Sequence, residues 1–256
     1  MGMSKEKQTI EILSEMEWKR IVRRDIKSKI NLSDRWYQLI LSMIRKVGLD
    51  LSEQGIKILE VGCGLGGFCL WASKKCENVV GLDIGRARLH QGNSLRKRLK
   101  RKTSFIVGDA QSLPFKSELY DIVVCSETLE HIPNYKKAFN ELVRVTKKFG
   151  HIILTFPNYI NMTLLYKPIS FLLSSTPKKW NSQPPDLHSF NIFTINRLFE
   201  REDLKVLVKE GIGLIHLPSA KPKIRFIDFR LNKPVKKLKF LCINIGVIAQ
   251  KIKNSQ

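Results

Sequence analysis

A short apolar strand that runs into a glycine-rich turn, residues 58–68, constrains this chain more than any other segment; its sequence is ILEVGCGLGGF. Glycine has no Cβ, so the backbone of such a turn can lie directly against a ligand. Gly62, Gly64 and Gly67 satisfy the G-x-G-x-x-G spacing of dinucleotide sites, and Gly62, Gly64 and Gly66 equally satisfy G-x-G-x-G. The turn therefore predicts a nucleotide-like ligand without identifying it.

Apolar strands alternate with helices through most of the chain. We predict strands at Ile56–Val61, Asn78–Asp83, Ser104–Val107, Tyr120–Cys125, Gly150–Phe156, Val208–Leu217 and Leu241–Ile252. We predict helices within residues 4–50 and at Cys69–Lys75, Arg86–Lys100, Tyr135–Thr146 and Thr194–Leu207. This alternation is typical of a parallel sheet that is buried on both faces.

Length and composition fit one α/β domain, since the chain has 256 residues of which 43% are hydrophobic. We divide the expected domain 1–256 into a helical N-terminal extension (1–55), a ligand-binding core (56–156), an insertion (157–192) and the C-terminal part of the sheet (193–256). The insertion contains five prolines and fits no simple strand–helix unit.

The five cysteines are scattered along the sequence and lack partner histidines at metal-ligand spacing. We expect reduced thiols in a cytoplasmic protein, with neither a disulfide nor a metal site. No run of about 20 uncharged apolar residues is present, so we expect no membrane-spanning helix. The N-terminal residues show no secretory signal.

The formal net charge is +22, and the basic residues are concentrated in two segments, 86–102 and 221–253. Such charge favours an anionic partner, which could be nucleic acid, an acidic membrane surface or a phosphorylated substrate. The alternative is a lysine-rich surface that is simply solvated. Residues 86–102 contain no aromatic side chain on which a base could stack, which disfavours nucleic acid.

Acidic residues at the strand ends distinguish between two cofactors, NAD and S-adenosylmethionine. Asp83 closes the second strand and suits ribose hydroxyls in either case. Glu60 precedes the glycine turn, where a carboxylate repels a pyrophosphate but attracts an ammonium or sulfonium group. Asp109 closes the third strand, where it could accept a hydrogen bond from an adenine amino group. Together these residues favour S-adenosylmethionine.

Five motifs in register carry a family resemblance: ILEVGCGLGG, VVGLD, GDAQSLPF, YDIVVCSETLEHIPN and ELVRVTKKFGHIILTFPN. Over residues 56–160 the chain resembles the class I S-adenosylmethionine-dependent methyltransferases, and within them the small-molecule group that includes the ubiquinone and menaquinone methyltransferases. The resemblance implies a Rossmann-like, seven-stranded, mostly parallel α/β sheet with helices on both faces and an antiparallel last strand. Extra N-terminal helices and an insertion after strand five would complete the fold.

The resemblance also implies a set of residues that bind S-adenosylmethionine. These are Glu60, Gly62, Cys63, Gly64, Gly66, Asp83, Ile84, Asp109, Ala110 and Ser126. The glycine loop would hold the methionine side, and Asp83 the ribose hydroxyls. Ile84 would pack on the adenine, Asp109 and Ala110 would bind its edge, and Ser126 would meet the methionine end.

Methyl transfer from a sulfonium is an in-line displacement, so the protein chiefly aligns the acceptor and, where necessary, removes its proton. His131 and His188 are the candidate catalytic bases, because histidine titrates near neutral pH. The alternatives are a structural or pocket-lining role for His131 and an ordinary loop position for His188. No metal ligands are predicted.

The leading hypothesis is methyl transfer to O, C or N of a small acceptor of lipid-like or anionic character. The apolar insertion 157–192 would cover this acceptor, contact an anionic membrane surface or simply close the pocket. Two alternatives are a methyltransferase that acts on RNA or protein, and a non-catalytic cofactor-binding or partner protein. The chain lacks the Asn/Asp-Pro-Pro-Tyr/Phe turn and the Pro-Cys pair found in many nucleic-acid methyltransferases, which disfavours RNA.

Overall fold

The computed structural model describes residues 35–161, 187–213 and 241–253. The strands are β1 (Lys57–Val61), β2 (Asn78–Asp83), β3 (Ser104–Val107), β4 (Tyr120–Ser126), β5 (Thr146–Pro157), β6 (Leu204–Ile212) and β7 (Asn244–Lys251). The helices are α1 (Arg35–Lys46), α2 (Gly67–Ala72), α3 (Arg86–Arg98), α4 (Tyr135–Val145) and α5 (Ile192–Phe199), with shorter turns at Leu129–His131 and Tyr159–Asn161.

The strands form one seven-stranded sheet in the order β3-β2-β1-β4-β5-β7-β6. Strands β1 to β5 pair in parallel, whereas β7 runs antiparallel to both β5 and β6. The predicted fold class, including the antiparallel last strand, is therefore confirmed. Because β1 lies between β2 and β4, the chain reverses direction along the sheet at β1, where open α/β sheets bind their ligands.

Helices cover both faces of the sheet because successive strand residues point to opposite sides. In β5, Ile152 and Leu154 belong to the apolar layer that includes α4 and α5, whereas Ile153 belongs to the opposite layer, which includes α1 and α2. All three side chains are fully buried. The central strands are thus packed between two apolar layers, one on each face of the sheet. The loops at their carboxyl ends extend from these well-packed strands.

Helix α1 packs closely on β6 and β7. A Cβ on Gly246 would lie 2.6 Å from Met43 Cε and 2.9 Å from Leu39 Cγ, so glycine permits this approach. The buried carboxylate of Glu210 accepts a hydrogen bond from Ser42 Oγ at 3.1 Å and forms an ion pair with the ammonium group of Lys46.

The predicted helix Thr194–Leu207 is wrong beyond Phe199. Residues 204–207 belong to β6, where antiparallel pairing with β7 overrides their local helical pattern. The pairing shifts between Val206 and Val208, and Lys205, Val206 and Leu207 are exposed along this outer strand. Strand β5 also begins earlier than predicted, at Thr146.

The described parts of the other predicted elements match the structure to within a few residues, whereas residues 214–217 of the predicted strand Val208–Leu217 lie outside the described residues. Helix α2 begins at Gly67 and ends at Ala72, which places it two to three residues N-terminal of its prediction. The N-terminal extension before residue 35, most of the insertion and the basic connection 218–240 lie outside the described residues. Within the described residues, no helix is long and apolar enough to span a bilayer. All five cysteine side chains are buried thiols that form no disulfide bond.

Candidate functional site

The predicted binding residues follow four neighbouring strands, β3, β2, β1 and β4, at their carboxyl ends. Because parallel strands end at the same edge of the sheet, these residues converge there although they span residues 60–126 of the sequence. The structure therefore brings together the glycine loop, Asp83, Asp109 and Ser126.

Asp83 links the three loops that surround this edge. Its Oδ2 accepts a hydrogen bond from the Gly64 amide at 2.8 Å, and its carbonyl oxygen accepts one from the Gly108 amide at 3.1 Å. Its Oδ1 accepts a further bond from the Gly85 amide at 2.7 Å. Each carboxylate oxygen has about two acceptor sites, so each retains capacity for another donor such as a ribose hydroxyl.

The three glycines of the loop all have positive φ, 74° at Gly62, 55° at Gly64 and 77° at Gly66, but their surroundings differ. A Cβ on Gly62 would lie 2.2 Å from Thr128 Cγ2, and one on Gly66 would lie 2.2 Å from Phe105 Cζ. A Cβ on Gly64 would have no atom of the described residues within 4 Å. Only Gly64 thus faces open space; the other two glycines admit neighbouring side chains of the protein itself.

Glu60 lies beneath the glycine loop with only 3% of its surface exposed. Burial raises the pKa of this carboxyl to about 7, although hydrogen bonds from the side chain and amide of Cys69 favour its ionised form. Its Oε2 lies 3.1 Å from Cys69 N and 3.0 Å from Cys69 Sγ. At neutral pH the group is therefore poised between its neutral and charged forms, and a nearby cation would favour the charged form.

Cys63 follows Gly62 in the loop and contributes its backbone to the site. Its side chain is buried, and its Sγ lies 2.8 Å from the position that a Cβ on Gly81 would take, so the thiol points into the protein. The Cys63 amide donates to the Leu82 carbonyl at 3.0 Å, next to the bond from the Gly62 amide at 2.7 Å. These bonds join the glycine loop to β2.

Asp109 forms a turn with Gln111 at the end of β3. Its Oδ1 accepts from the Gln111 amide at 2.8 Å, and the Gln111 side-chain nitrogen lies 3.2 Å and 3.1 Å from the two carboxylate oxygens. Asp109 thus stabilises a turn through its side chain, while the residue stays exposed. Ala110 is half-buried. The apolar side chain of Ile84, which directly follows Asp83 in the sequence, is 73% exposed.

Polar side chains meet where β4, β5 and β7 approach the same edge. Ser126 Oγ lies 2.7 Å from Thr155 Oγ1, so these two hydroxyls share a hydrogen bond. Glu127 has a φ of 47°, its amide donates to the Thr155 carbonyl, and its Oε2 accepts from Asn244 Nδ2 at 2.7 Å. A positive φ on a non-glycine residue is uncommon and often marks a functional site.

The two candidate histidines lie around the same loop after β4. His131 is half-buried and ends the turn Leu129–His131. The Nε2 atom of His188 lies 2.9 Å from the carbonyl oxygen of Ile132 and 3.1 Å from that of Pro133. Since carbonyl oxygens only accept hydrogen bonds, Nε2 carries the proton and a basic nitrogen on His188 would have to be Nδ1.

Further contacts fix the segment that carries His188. The amides of Leu187 and His188 donate to the Glu130 carbonyl at 2.8 Å and 3.1 Å. The His188 ring packs edge-on against Tyr135 with centroids 4.7 Å apart. Segment 187–190 therefore lies on the loop after β4, beside His131.

Sequence reasoning missed two residues that shape this site. Thr128 occupies the space above Gly62 and donates from Oγ1 to the Ser126 carbonyl at 2.8 Å. Gln111 joins Asp109 to the start of α4, since its Oε1 accepts from the Asn134 amide at 3.2 Å. Both lie within motifs that carry the resemblance, but sequence does not show which glycine a threonine will cover. In the described parts of the chain, no group of three or more His, Cys, Asp or Glu side chains could hold a metal ion.

Comparisons with known proteins agree with this geometry. Residues 59–154 match the family model described as "Methyltransferase domain". Norajmaline N-methyltransferase of Rauvolfia serpentina is 32% identical over 109 residues, 41% of this chain, and the match spans only 37% of that relative. Ubiquinone biosynthesis O-methyltransferase of Aliivibrio fischeri is 28% identical over 209 residues, which cover 75% of this chain and 86% of the relative.

Solved structures share the fold. The crystal structure of an S-adenosylmethionine-dependent methyltransferase from Mesorhizobium loti superposes with a TM-score of 0.59 and 18% identity. The superposition covers 82% of this chain and 96% of that one. At this identity, the likeness establishes the architecture of the sheet and its helices.

Proposed function

We propose that this chain, which belongs to the class I S-adenosylmethionine-dependent methyltransferases, transfers the cofactor's methyl group to an oxygen, carbon or nitrogen atom of a small acceptor. The observation that carries the proposal is the open position at Gly64, whose amide is bonded to Asp83 at the topological switch of the sheet. When bound, the cofactor supplies a methyl group on a positively charged sulfur that is already activated for displacement.

The residues at the edge of the sheet fit this cofactor. Gly64 leaves room for a ligand directly against the backbone, where any side chain would protrude. Asp83 retains acceptor capacity for two ribose hydroxyls, and the exposed Ile84 offers an apolar surface for an adenine. Asp109 keeps an exposed carboxylate for the adenine amino group, with Ala110 beside it.

Glu60 and Ser126 would face the methionine portion. A buried carboxyl with a pKa near 7 gains its charge when a cation binds close to it, so Glu60 favours an ammonium or sulfonium group over a pyrophosphate. The backbone of Gly62, Cys63 and Gly66 would shape the loop around this portion of the ligand. Ser126 would bind at the tip of β4, where Thr155 orients its hydroxyl.

His131 and His188 remain our candidates for the removal of a proton from the acceptor. His131 ends the turn after β4, three residues before Asn134 at the start of α4. His188 could act only through Nδ1, because Nε2 donates to backbone carbonyls. The role of His188 in holding its segment against the loop is the simpler function for that side chain.

Exposed apolar side chains near this loop support an acceptor with an apolar part. Leu187 is 53% exposed, and its amide is bonded to the Glu130 carbonyl next to His131, while Phe193, at the start of α5 six residues later in the chain, is 67% exposed. Two relatives named for small-molecule methylation, of norajmaline and in ubiquinone biosynthesis, support the same class of acceptor.

The basic surface and the thiols support two subsidiary proposals. Arg86, Arg88 and Lys97 are exposed along α3 and would favour peripheral contact with an anionic membrane over nucleic acid, for which α3 offers no stacking side chain. The five buried thiols, which form no disulfide, support a cytoplasmic location, where thiols stay reduced.

Calorimetry with S-adenosylhomocysteine, the product of the cofactor, tests the binding site. We expect Asp83→Asn to weaken binding about 100-fold, since one acceptor oxygen is replaced by a donor and the other loses its negative charge. Asp121→Asn is the matched control, because Asp121 also accepts from a backbone amide, that of Lys57 at 2.9 Å, at the opposite end of the sheet. Absence of binding by the unchanged protein would contradict the proposal.

Methyl transfer itself is tested with methyl-labelled cofactor. We expect label to enter small phenols, amines or quinol-like acceptors that carry an apolar chain, and the transfer to fall when His131 is changed to Ala. Label that enters only RNA or protein would contradict the small-molecule acceptor. Binding without transfer to any class of acceptor would support the non-catalytic alternative.

A further inference from the structure

We propose that Glu141 and Arg144 of α4 are positioning residues that set the affinity for the adenine end of the cofactor. They would act by holding residues 108–119, here named the adenine loop, which joins β3 to β4 and carries Asp109 and Ala110. This inference rests on the cofactor site proposed above.

The adenine loop needs support from outside itself. It contains neither helix nor strand, and β3, from which it extends, is an edge strand that, within the described residues, pairs only with β2. Its first residues are joined to the sheet by the bond from the Gly108 amide to the Asp83 carbonyl. Beyond Asp109, its position depends on contacts with other elements.

Arg144 and Glu141 supply those contacts in the middle of the loop. The Arg144 guanidinium donates to the carbonyl oxygens of Phe115 at 2.8 Å and Leu113 at 3.1 Å. It also forms a two-pronged ion pair with Glu141, with N–O distances of 2.6 Å and 2.8 Å. Glu141 Oε2 in turn accepts from the Leu113 amide at 2.7 Å. The pair thus binds both backbone groups of Leu113, as a neighbouring strand would.

A short path leads from this clamp to the adenine-binding residues. Leu113 is 5% exposed and packs into the core, and two residues before it Gln111 contacts both carboxylate oxygens of Asp109. The other end of the Gln111 side chain accepts from the Asn134 amide at the start of α4. Helix α4 therefore holds the adenine loop near Gln111 and at Leu113 and Phe115, as well as at its end, where the amides of Glu118 and Leu119 donate to α4 carbonyls, and it fixes the direction of the Asp109 carboxylate.

The chemistry of the pair suits a positioning role. Arg144 lowers the pKa of the Glu141 carboxyl through hydrogen bonds and charge, so the pair stays ionised. A guanidinium can bond to a carboxylate and two carbonyls in fixed directions, whereas the ammonium group of lysine cannot reproduce that fork. Charge alone would therefore not replace Arg144.

The test compares the affinities of two ligands by calorimetry. S-adenosylhomocysteine carries the adenine amino group, and S-inosylhomocysteine has a carbonyl oxygen in its place. For Arg144→Met we expect about tenfold weaker binding of the adenosine ligand, because misplacing Asp109 removes one hydrogen bond to a charged acceptor. The inosine ligand makes no such bond, so its affinity should change less and discrimination between the two should fall.

Arg201→Met is the matched control. Arg201 pairs with Asp203 with side-chain exposures of 33% and 18%, nearly the same as the 30% and 18% of Arg144 and Glu141. It does not contact the adenine loop in the described structure, so we expect discrimination to stay unchanged. Arg144→Lys and Glu141→Gln are milder variants for the case in which Arg144→Met does not fold, and both should lose part of the discrimination.

The outcomes separate this inference from the proposed function. If the unchanged protein binds neither ligand, the proposed function itself is contradicted. If it binds the adenosine ligand and the folded Arg144 and Glu141 variants keep its discrimination, only the inference is overturned. Equal loss of discrimination in Arg201→Met would also overturn it, because the effect would then reflect general destabilisation.

Discussion

The side chain of Thr128 occupies the space that a Cβ on Gly62 would need, with Cγ2 only 2.2 Å from that position. The loop after β4 therefore packs directly on the first glycine of the turn after β1. Glycine at this position is required by a neighbouring side chain of the protein rather than by a ligand. The glycine pattern thus combines packing at Gly62 and Gly66 with ligand access at Gly64.

Gly62→Ala should reduce the free energy of unfolding substantially. The positive φ costs about 1 kcal/mol for an L-residue, and the overlap with Thr128 adds the ~1–3 kcal/mol typical of overpacking. Gly48→Ala is the matched control, because Gly48 has a φ of 69° but no atom within 4 Å of its Cβ position. Chemical denaturation should show a clearly larger loss for Gly62→Ala.

Removal of the Thr128 side chain should rescue Gly62→Ala in part. Even Thr128 Cβ would lie 2.8 Å from the new methyl group, so the second change must be Thr128→Gly. We expect the double variant to be more stable than the sum of its single losses predicts, which is the signature of a direct contact. Strict additivity would contradict the contact.

Gly64→Ala should separate binding from stability. Its φ of 55° costs about 1 kcal/mol in the alanine variant, as at Gly48, because nothing in the protein collides with the added methyl group. The methyl group would instead enter the space assigned to the cofactor, so we expect calorimetry to show at least a tenfold loss of affinity for S-adenosylhomocysteine. Unchanged affinity in a folded variant would contradict the assignment of this space to the cofactor.

The pH dependence of stability should report on Glu60. Burial raises its pKa from about 4.5 to about 7, so the folded protein binds this proton more tightly than the unfolded chain does. The contribution of Glu60 to stability is therefore greatest below about pH 4.5 and is lost as pH rises towards 7, by up to ~3 kcal/mol. Glu60→Gln should abolish this loss.

The measurement is denaturant unfolding of both proteins from pH 5 to 8. Because many other groups titrate in this chain, the informative quantity is the difference between Glu60→Gln and the unchanged protein. That difference should grow in favour of the variant as pH rises, and parallel curves would show that Glu60 is ionised throughout.

The sequence was sufficient to predict the central strands of the fold and which strand ends carry the residues of the site. Strands such as Asn78–Asp83 are short apolar runs bounded by polar residues, and their carboxyl ends necessarily meet in a parallel sheet. Asp83 and Asp109 could be placed for the same reason. The bounds of β2 and β3 matched their predictions.

Long-range contacts account for what sequence could not predict. Residues 204–207 form a strand because β7, some 40 positions later in the chain, offers them backbone partners such as Lys251 opposite Leu204. The supports of Asp109 come from α4, and nothing in a local pattern links Arg144 to the carbonyl of Leu113. The role of each glycine likewise depended on which side chain lies above it.

Phe149→Gly should stabilise the protein. Phe149 has a φ of 64° and is 62% exposed, so it bears the cost of a left-handed conformation while burying little surface. Relief of that conformation gains about 1 kcal/mol, partly offset by loss of the contact between its ring and the Lys148 ammonium. Thermal unfolding should show a higher midpoint, and Phe149→Ala, which keeps a Cβ, should not.

The irregular pairing of β6 affects the tendency of this strand to associate edge to edge with other copies of the protein. An outer strand normally presents a regular row of unpaired amides and carbonyls, on which a further strand can assemble. Here the shift between Val206 and Val208 interrupts that row, and the charge of Lys205 lies beside the exposed Val206 and Leu207. Because β6 is the outer strand of the sheet in the described residues, we expect the segment that misled helix prediction to disfavour edge-to-edge assembly.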